Sequence, residues 1–193
     1  MKRVLIIVDA QEDFTRGALR NEDAIKALPV IADVAKFATA HDMDIVYTMD
    51  THYDRYLETQ EGKNLPVPHC LYGTDGWAIC PEVIPENLDP MITLMKITFG
   101  SDEWWDWPLL DDADEVWMCG FCTDICVSAN FQILKAGYPE LPITVISDAC
   151  AGVTPELHDA ALKVMKSCQA RIATWEELKN EDEPVCAKAP AQA

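Results

Sequence analysis

Positive charge is scarce in this chain. Among 193 residues, 15 Lys and Arg stand against 33 Asp and Glu, a formal charge of −18 at pH 7. Such a surface repels a phosphate backbone or an anionic bilayer over most of its area, which excludes nucleic acid and membrane as partners. Long apolar runs are missing as well. The longest near the start, Val4 to Val8, falls far short of the roughly 20 residues that span a bilayer. No cleavage-site pattern follows it, so it reads as the opening of the fold and not as a signal peptide. Internal repeats are absent. Low complexity is confined to residues 181–193, an acidic and then Ala/Pro-rich tail expected to be flexible, and residues 1–180 read as a single domain. At 49% apolar and 25% charged, the composition is globular.

Cysteine, by contrast, is plentiful. Eight are scattered along the chain, most of them inside apolar runs. With no secretory segment ahead of them, the reducing cytoplasm is the expected location and a disulfide scaffold is excluded. The question becomes which thiol is put to chemical use. The acidic excess is uneven, since residues 98–193 hold 17 acids and 6 bases while residues 1–97 hold 16 and 9. Much of the asymmetry lies in the tail and in residues 102–115, which carry seven acids, three tryptophans and no base. That stretch reads as a subunit interface, a lid, or an acidic helix and turn with at least one ring packed inward.

Short apolar runs alternate with longer amphipathic ones. Strands are expected over 3–9, 44–48, 91–95, 115–119, 142–147 and 171–173, and helices over 22–40, 124–136 and 154–167, with a last helix from Trp175. Gly137 closes the second helix, and Thr154 with Pro155 opens the third as N-cap and first helical residue. About forty residues after the second strand, rich in Pro, Gly and His, look irregular. Continuous hydrophobic strands separated by helices argue for a parallel sheet covered on both faces. In such sheets ligands bind beyond the carboxyl ends of the strands, where Asp9, Asp50, His52, Lys96 and the segment from Cys119 to Cys126 fall.

Asp9 ends a buried apolar strand, which is costly for a carboxylate unless it is paired or has a task; its plain alternative is to cap a loop. Lys96, after Met91-Ile92-Thr93-Leu94-Met95, poses the same problem with opposite sign, and at adjacent strand ends the two would neutralise each other. Cys126 lies where a strand gives way to a helix, whose amino end lowers a thiol pKa and offers N–H groups to an oxyanion. Taken alone it reads equally as a small core residue. Asp50-Thr51-His52 puts two ligand-type side chains on one side of an extended segment, and His69 follows in Pro68-His69-Cys70. Two imidazoles and a carboxylate leave positions open on zinc or a similar divalent ion. Cys70 could add a thiolate but reads as structural, as do His41 and His158. Cys119-Gly120-Phe121-Cys122 is a Cys-x-x-Cys, yet its first cysteine belongs inside a strand, which argues against a redox pair.

Together these residues resemble the isochorismatase-like cysteine hydrolase superfamily, and within it the nicotinamidase-type amidases. The resemblance rests on Val8-Asp9-Ala10-Gln11-Glu12-Asp13-Phe14, on Lys96, on Thr123-Asp124-Ile125-Cys126-Val127, on Asp148-Ala149-Cys150 after the fifth strand, and on His158, and it extends to about Leu178. It implies a three-layer, Rossmann-like α/β fold with a mostly parallel six-stranded sheet. It implies a catalytic triad of Asp9, Lys96 and Cys126, a cis peptide between Phe121 and Cys122, and an oxyanion hole from the backbone N–H groups of Cys122 and Cys126. Phe14 would line the substrate pocket, and Asp50, His52 and His69 would hold the metal, with no organic cofactor. The activity implied is thioester-mediated hydrolysis of a small carboxamide, nicotinamide to nicotinate and ammonia, by a homo-oligomer. Residues 53–63 and Leu65-Pro66-Val67-Pro68 depart from the nicotinamidase pattern, where a Trp-Pro often precedes the His-Cys pair. Another small amide, ureido or carbamoyl substrate is therefore the alternative within the superfamily, and a metal-binding protein with an inert thiol is the alternative outside it.

Overall fold

The computed structural model describes residues 1–182; the tail from residue 183 lies outside the described residues. In chain order the elements are β1 (Arg3–Val8), α1 (Glu12–Thr15), α2 (Glu22–Ala40), β2 (Asp44–Asp50), α3 (Gln60–Asn64), β3 (Ile92–Lys96), α4 (Pro108–Asp111), β4 (Glu115–Phe121), a π-helical turn (Thr123–Val127), α5 (Ser128–Gly137), β5 (Ile143–Ala151), α6 (Pro155–Ser167), β6 (Arg171–Ala173) and α7 (Trp175–Asp182). The strands form one sheet in the order β3-β2-β1-β4-β5-β6, and every neighbouring pair is parallel.

Local chemistry explains the element ends. The Asn21 side chain accepts from the N–H groups of Asp23 and Ala24 to start α2, and Thr154 accepts from Leu157 N–H at the head of α6. Val4 to Val8 are fully buried, which fits a central strand covered on both faces. Right-handed crossovers carry β1 to β2 one way across the sheet and β4 to β6 the other way, so their helices lie on opposite faces. On one face α7 packs on α2, the Trp175 ring meeting Phe37 edge-on at 5.1 Å. On the other, α5 packs beside α6.

Two local expectations need correction. The helix expected over 124–136 is split, because Thr123–Val127 forms a wider π turn before α5 begins at Ser128. Periodicity over so short a stretch does not separate the two windings. β5 runs on to Ala151, so Asp148 and Cys150 lie inside it and not after it. The acidic, Trp-rich stretch holds a short 3₁₀ helix, Asp102–Asp106, followed by α4. There Trp104 is buried while Trp105 is exposed.

At Gly120 the backbone of β4 approaches β1 more closely than a side chain would allow. Gly120 pairs with Val8 at φ 118°, and a Cβ there would lie 2.0 Å from the Val8 carbonyl oxygen. The close approach brings the end of β4 beside the end of β1.

Candidate active site and metal centre

The direction of winding reverses between β1 and β4, and the crevice beyond such a switch point is where α/β sheets bind ligands. A cavity of about 1090 Å3 opens there, with Phe14, Asp50, His52, His69, Cys122 and Cys126 in its wall. Asp9 leaves β1 with φ 48°, a left-handed turn that Asp tolerates better than most residues. Its N–H donates to the Thr48 carbonyl at 3.2 Å, and its Oδ1 accepts from Thr48 Oγ1 at 2.6 Å. Lys96 closes β3 level with Asp50 on β2.

These strand ends bring three groups together. Lys96 Nζ lies 2.6 Å from Asp9 Oδ2 and donates to Cys126 Sγ at 3.7 Å. All three side chains are buried. Burial pulls the Lys96 pKa down, but the carboxylates of Asp9 and Asp50 outweigh it, and Lys96 stays an ammonium. Burial raises the Asp9 carboxyl against the pull of Lys96, which suits a group that must accept a proton.

The Cys126 thiol departs from the expectation of a lowered pKa. Burial pushes it well above an ordinary thiol, with Lys96 pulling the other way. It rests protonated and needs a base to become a nucleophile. Burial also raises Cys119, deep in β4, and Cys122 to about 12, so neither is poised as a redox thiolate. The peptide between Phe121 and Cys122 is cis, and Cys122 lines the cavity directly before the π-helical turn.

A second cluster lies beside the first. Asp50, His52, Glu61 and His69 each offer a ligand atom, all within 4.8 Å of one another. Asp50 Oδ2 is 3.1 Å from His52 Nε2 and 3.3 Å from His69 Nε2, and Glu61 Oε1 is 3.6 Å from both. His69 Nδ1 donates to the Val67 carbonyl at 2.8 Å, which turns Nε2 toward Asp50 and Glu61. Burial would neutralise Asp50, but hydrogen bonds from His52 and His69 and the charge of Lys96 hold its carboxyl below the usual range. Two imidazoles and two carboxylates, convergent and buried except for the half-buried Glu61, fit a divalent ion. A smaller group, Glu12, Cys80 and Glu82, is already occupied, because Arg16 pairs with both carboxylates.

Glu61 was not legible in the sequence. It lies on α3, whose N-cap Thr59 accepts from Gly62 N–H at 2.9 Å. Nothing in its spacing separates it from Glu58, which pairs with Arg55 at the surface. Other unforeseen residues hold the site in place. Buried Gln11 clamps the Asp50 backbone, donating to its carbonyl at 2.9 Å and accepting from its N–H at 2.8 Å. Asp13 accepts from Cys70 N–H at 2.6 Å, fixing the His69 loop. Asn130 donates to the carbonyls of Cys126 at 2.8 Å and Phe99 at 3.2 Å and accepts from Trp104 Nε1 at 2.7 Å. The nucleophile turn is thereby tied to the segment after Lys96. His158 bonds Thr123 at the head of the turn, at 2.8 Å. The Phe14 ring lies 6.1 Å from the His69 ring, edge to face, and Cys70 is buried behind it.

The chain is similar to known proteins over most of its length. The isochorismatase domain matches residues 3–177. A nicotinamidase/pyrazinamidase of Mycobacterium tuberculosis is 29% identical over 185 residues, covering 88% of this chain and 97% of the relative. The crystal structure of a nicotinamidase from Bacillus subtilis superposes with a TM-score of 0.77 at 25% identity, covering 90% of this chain and 99% of that one. A pyrazinamidase of Pyrococcus horikoshii solved in complex with zinc superposes with a TM-score of 0.76 at 23% identity, over 90% of this chain and 99% of that one.

Proposed function

Since the chain belongs to the isochorismatase family, we propose that it is a cysteine-dependent hydrolase of amide C–N bonds, releasing ammonia from a small carboxamide in the manner of a nicotinamidase. The observation that carries this reading is the buried Asp9–Lys96–Cys126 constellation, 2.6 Å and 3.7 Å on its two sides, whose Cys126 lines the cavity.

The Cys126 thiol gives its proton to Asp9 as sulfur bonds to the carbonyl carbon, and the carbonyl π pair moves onto oxygen. The N–H groups of Cys122 and Cys126 stabilise that oxyanion. As the pair returns, the C–N bond breaks, Asp9 passes its proton to the leaving nitrogen, and ammonia departs from a thioester on Cys126. Asp9 then deprotonates a water that attacks the thioester. The expelled thiolate takes that proton back, leaving the carboxylic acid and the starting enzyme. Lys96 keeps Asp9 anionic between proton transfers. Asp50, His52, His69 and Glu61 would hold a divalent ion, zinc by ligand type, and Phe14 would flank the substrate. Such an ion supplies a Lewis-acidic anchor for a lone pair on the substrate.

The test is ammonia release by the purified protein from nicotinamide, pyrazinamide and small ureido or carbamoyl compounds, with iodoacetamide labelling mapped by peptide. Hydrolysis of one of them, lost in step with selective alkylation of Cys126, is the expected result. Uniform slow labelling of all thiols with no ammonia released would overturn it. The same proposal places the enzyme in the cytoplasm as a homo-oligomer, and sedimentation showing only a 21.6 kDa particle would refute the second part.

A further inference from the structure

The cavity beside Cys126 is larger and more apolar than a one-ring amide requires. Its volume, about 1090 Å3, stands at the top of the roughly 300 to 1,000 Å3 typical of pockets for drug-sized ligands. Its charged wall comes from one side, with Asp50 at the end of β2 and Glu61 on α3. Close to the nucleophile the lining is apolar, and each apolar residue is placed by a reacting or positioning neighbour. Ile97 follows Lys96 and Ile125 precedes Cys126. Val153 N–H donates to Asp124 at 2.9 Å, and the Phe99 carbonyl accepts from Asn130, which also holds Cys126.

Ile97, Phe99 and Val153 are nevertheless 68%, 45% and 51% exposed, in a chain whose charge is −18. Exposed apolar side chains that line a cavity mark a surface that a ligand covers. An anionic ligand has no counter-charge to meet there. Arg20, the arginine in the lining, is bonded to Glu22 at 2.9 Å, and none of Ile97, Phe99, Ile125 and Val153 carries a charge.

We propose that the substrate is a neutral primary carboxamide with an extended apolar acyl group that lies along Ile97, Phe99, Ile125 and Val153. This names the substrate class of the amidase site above and rests on that reading. Hydrolysis of propanamide, butanamide, pentanamide, hexanamide and heptanamide by the full chain, with nicotinamide alongside, tests it by ammonia release. The expected kcat/KM rises roughly three- to fourfold per added methylene, the worth of covering one with apolar surface. Adipic acid monoamide, with the chain length of hexanamide and a terminal carboxylate, should be about tenfold slower than hexanamide. Ile97→Ser and Phe99→Ser, each at an exposed position, should lower the heptanamide-to-propanamide ratio by roughly threefold. A flat or falling series while nicotinamide is hydrolysed would overturn the substrate class and leave the amidase reading standing, and unchanged ratios in both variants would overturn the assigned wall. Ammonia from none of these amides would sink the amidase reading and this inference with it.

Discussion

Asp9 and Lys96 are each costly to bury alone and tolerable only together. Their ion pair at 2.6 Å is almost wholly removed from water, so deleting one partner strands the other charge. Lys96→Met should therefore cost about 3 to 5 kcal/mol in urea denaturation. The double variant Asp9→Asn with Lys96→Met should cost less than the sum of the two single variants, and strictly additive costs would refute the coupling. Asp9→Asn alone keeps an acceptor for Thr48 but cannot take the proton of a thiol whose pKa burial has raised. Ammonia release should fall by about 10² to 10⁴-fold, while intact-mass labelling still finds Cys126 unoxidised. A drop below tenfold would remove Asp9 from the role of base.

At the scale of elements, the nucleophile is held by a turn whose geometry is set from outside it. Asn130, on the first turns of α5, spends its side-chain amide on Cys126, Phe99, Ser101 and Trp104. Asn130→Ala should lower kcat by about 10²-fold with KM little changed, because a small displacement of the reacting sulfur suffices for such a loss. A rise in KM at constant kcat would point to substrate binding instead. The opposite face of the sheet offers a pH test. Asp33 on α2 accepts from Lys179 Nζ and Trp175 Nε1, both at 2.8 Å, and these bonds, Lys179 first, hold its carboxyl below the usual range. A depressed carboxyl stabilises the docked helix above its unfolded pKa and loses that effect as the pH falls through the folded value. Hydrogen exchange in α7 should therefore quicken on acidification below about pH 4. In Asp33→Asn the exchange should be fast already at neutral pH and lose that step.

For the whole molecule, bound metal and folding are linked, because a four-ligand site drawn from β2, α3 and the His69 loop exists only in the folded chain. Protein purified without chelator should carry about one ion per chain by elemental analysis. Chelation should lower Tm, and both the ion and the Tm difference should vanish in His52→Ala and shrink in Glu61→Gln. No ion in any sample would refute the metal centre. Among the described residues no helix is long and apolar enough to cross a membrane. Strand and helix order, the parallel sheet, and the candidates Asp9, Lys96, Cys126, Asp50, His52 and His69 were legible in the sequence. Apolar periodicity is written locally, and a charged or nucleophilic side chain at the end of an apolar run stands out against it. Other features were not written locally. Glu61 meets His52 and His69 only because α3 folds back over β2. Gln11 and Asp13 became positioning residues through partners 39 and 57 positions away, and Asn130 by tying Cys126 to Phe99, 31 positions away. The Cys126 pKa runs opposite to what its place at a strand-to-helix junction suggests. The sequence by itself determined which elements form and which residues end them, because those depend on neighbours in the chain. Only the tertiary structure decided which end-residues meet, how deeply they are buried and therefore which of them holds the proton, because desolvation and charge coupling depend on neighbours in space.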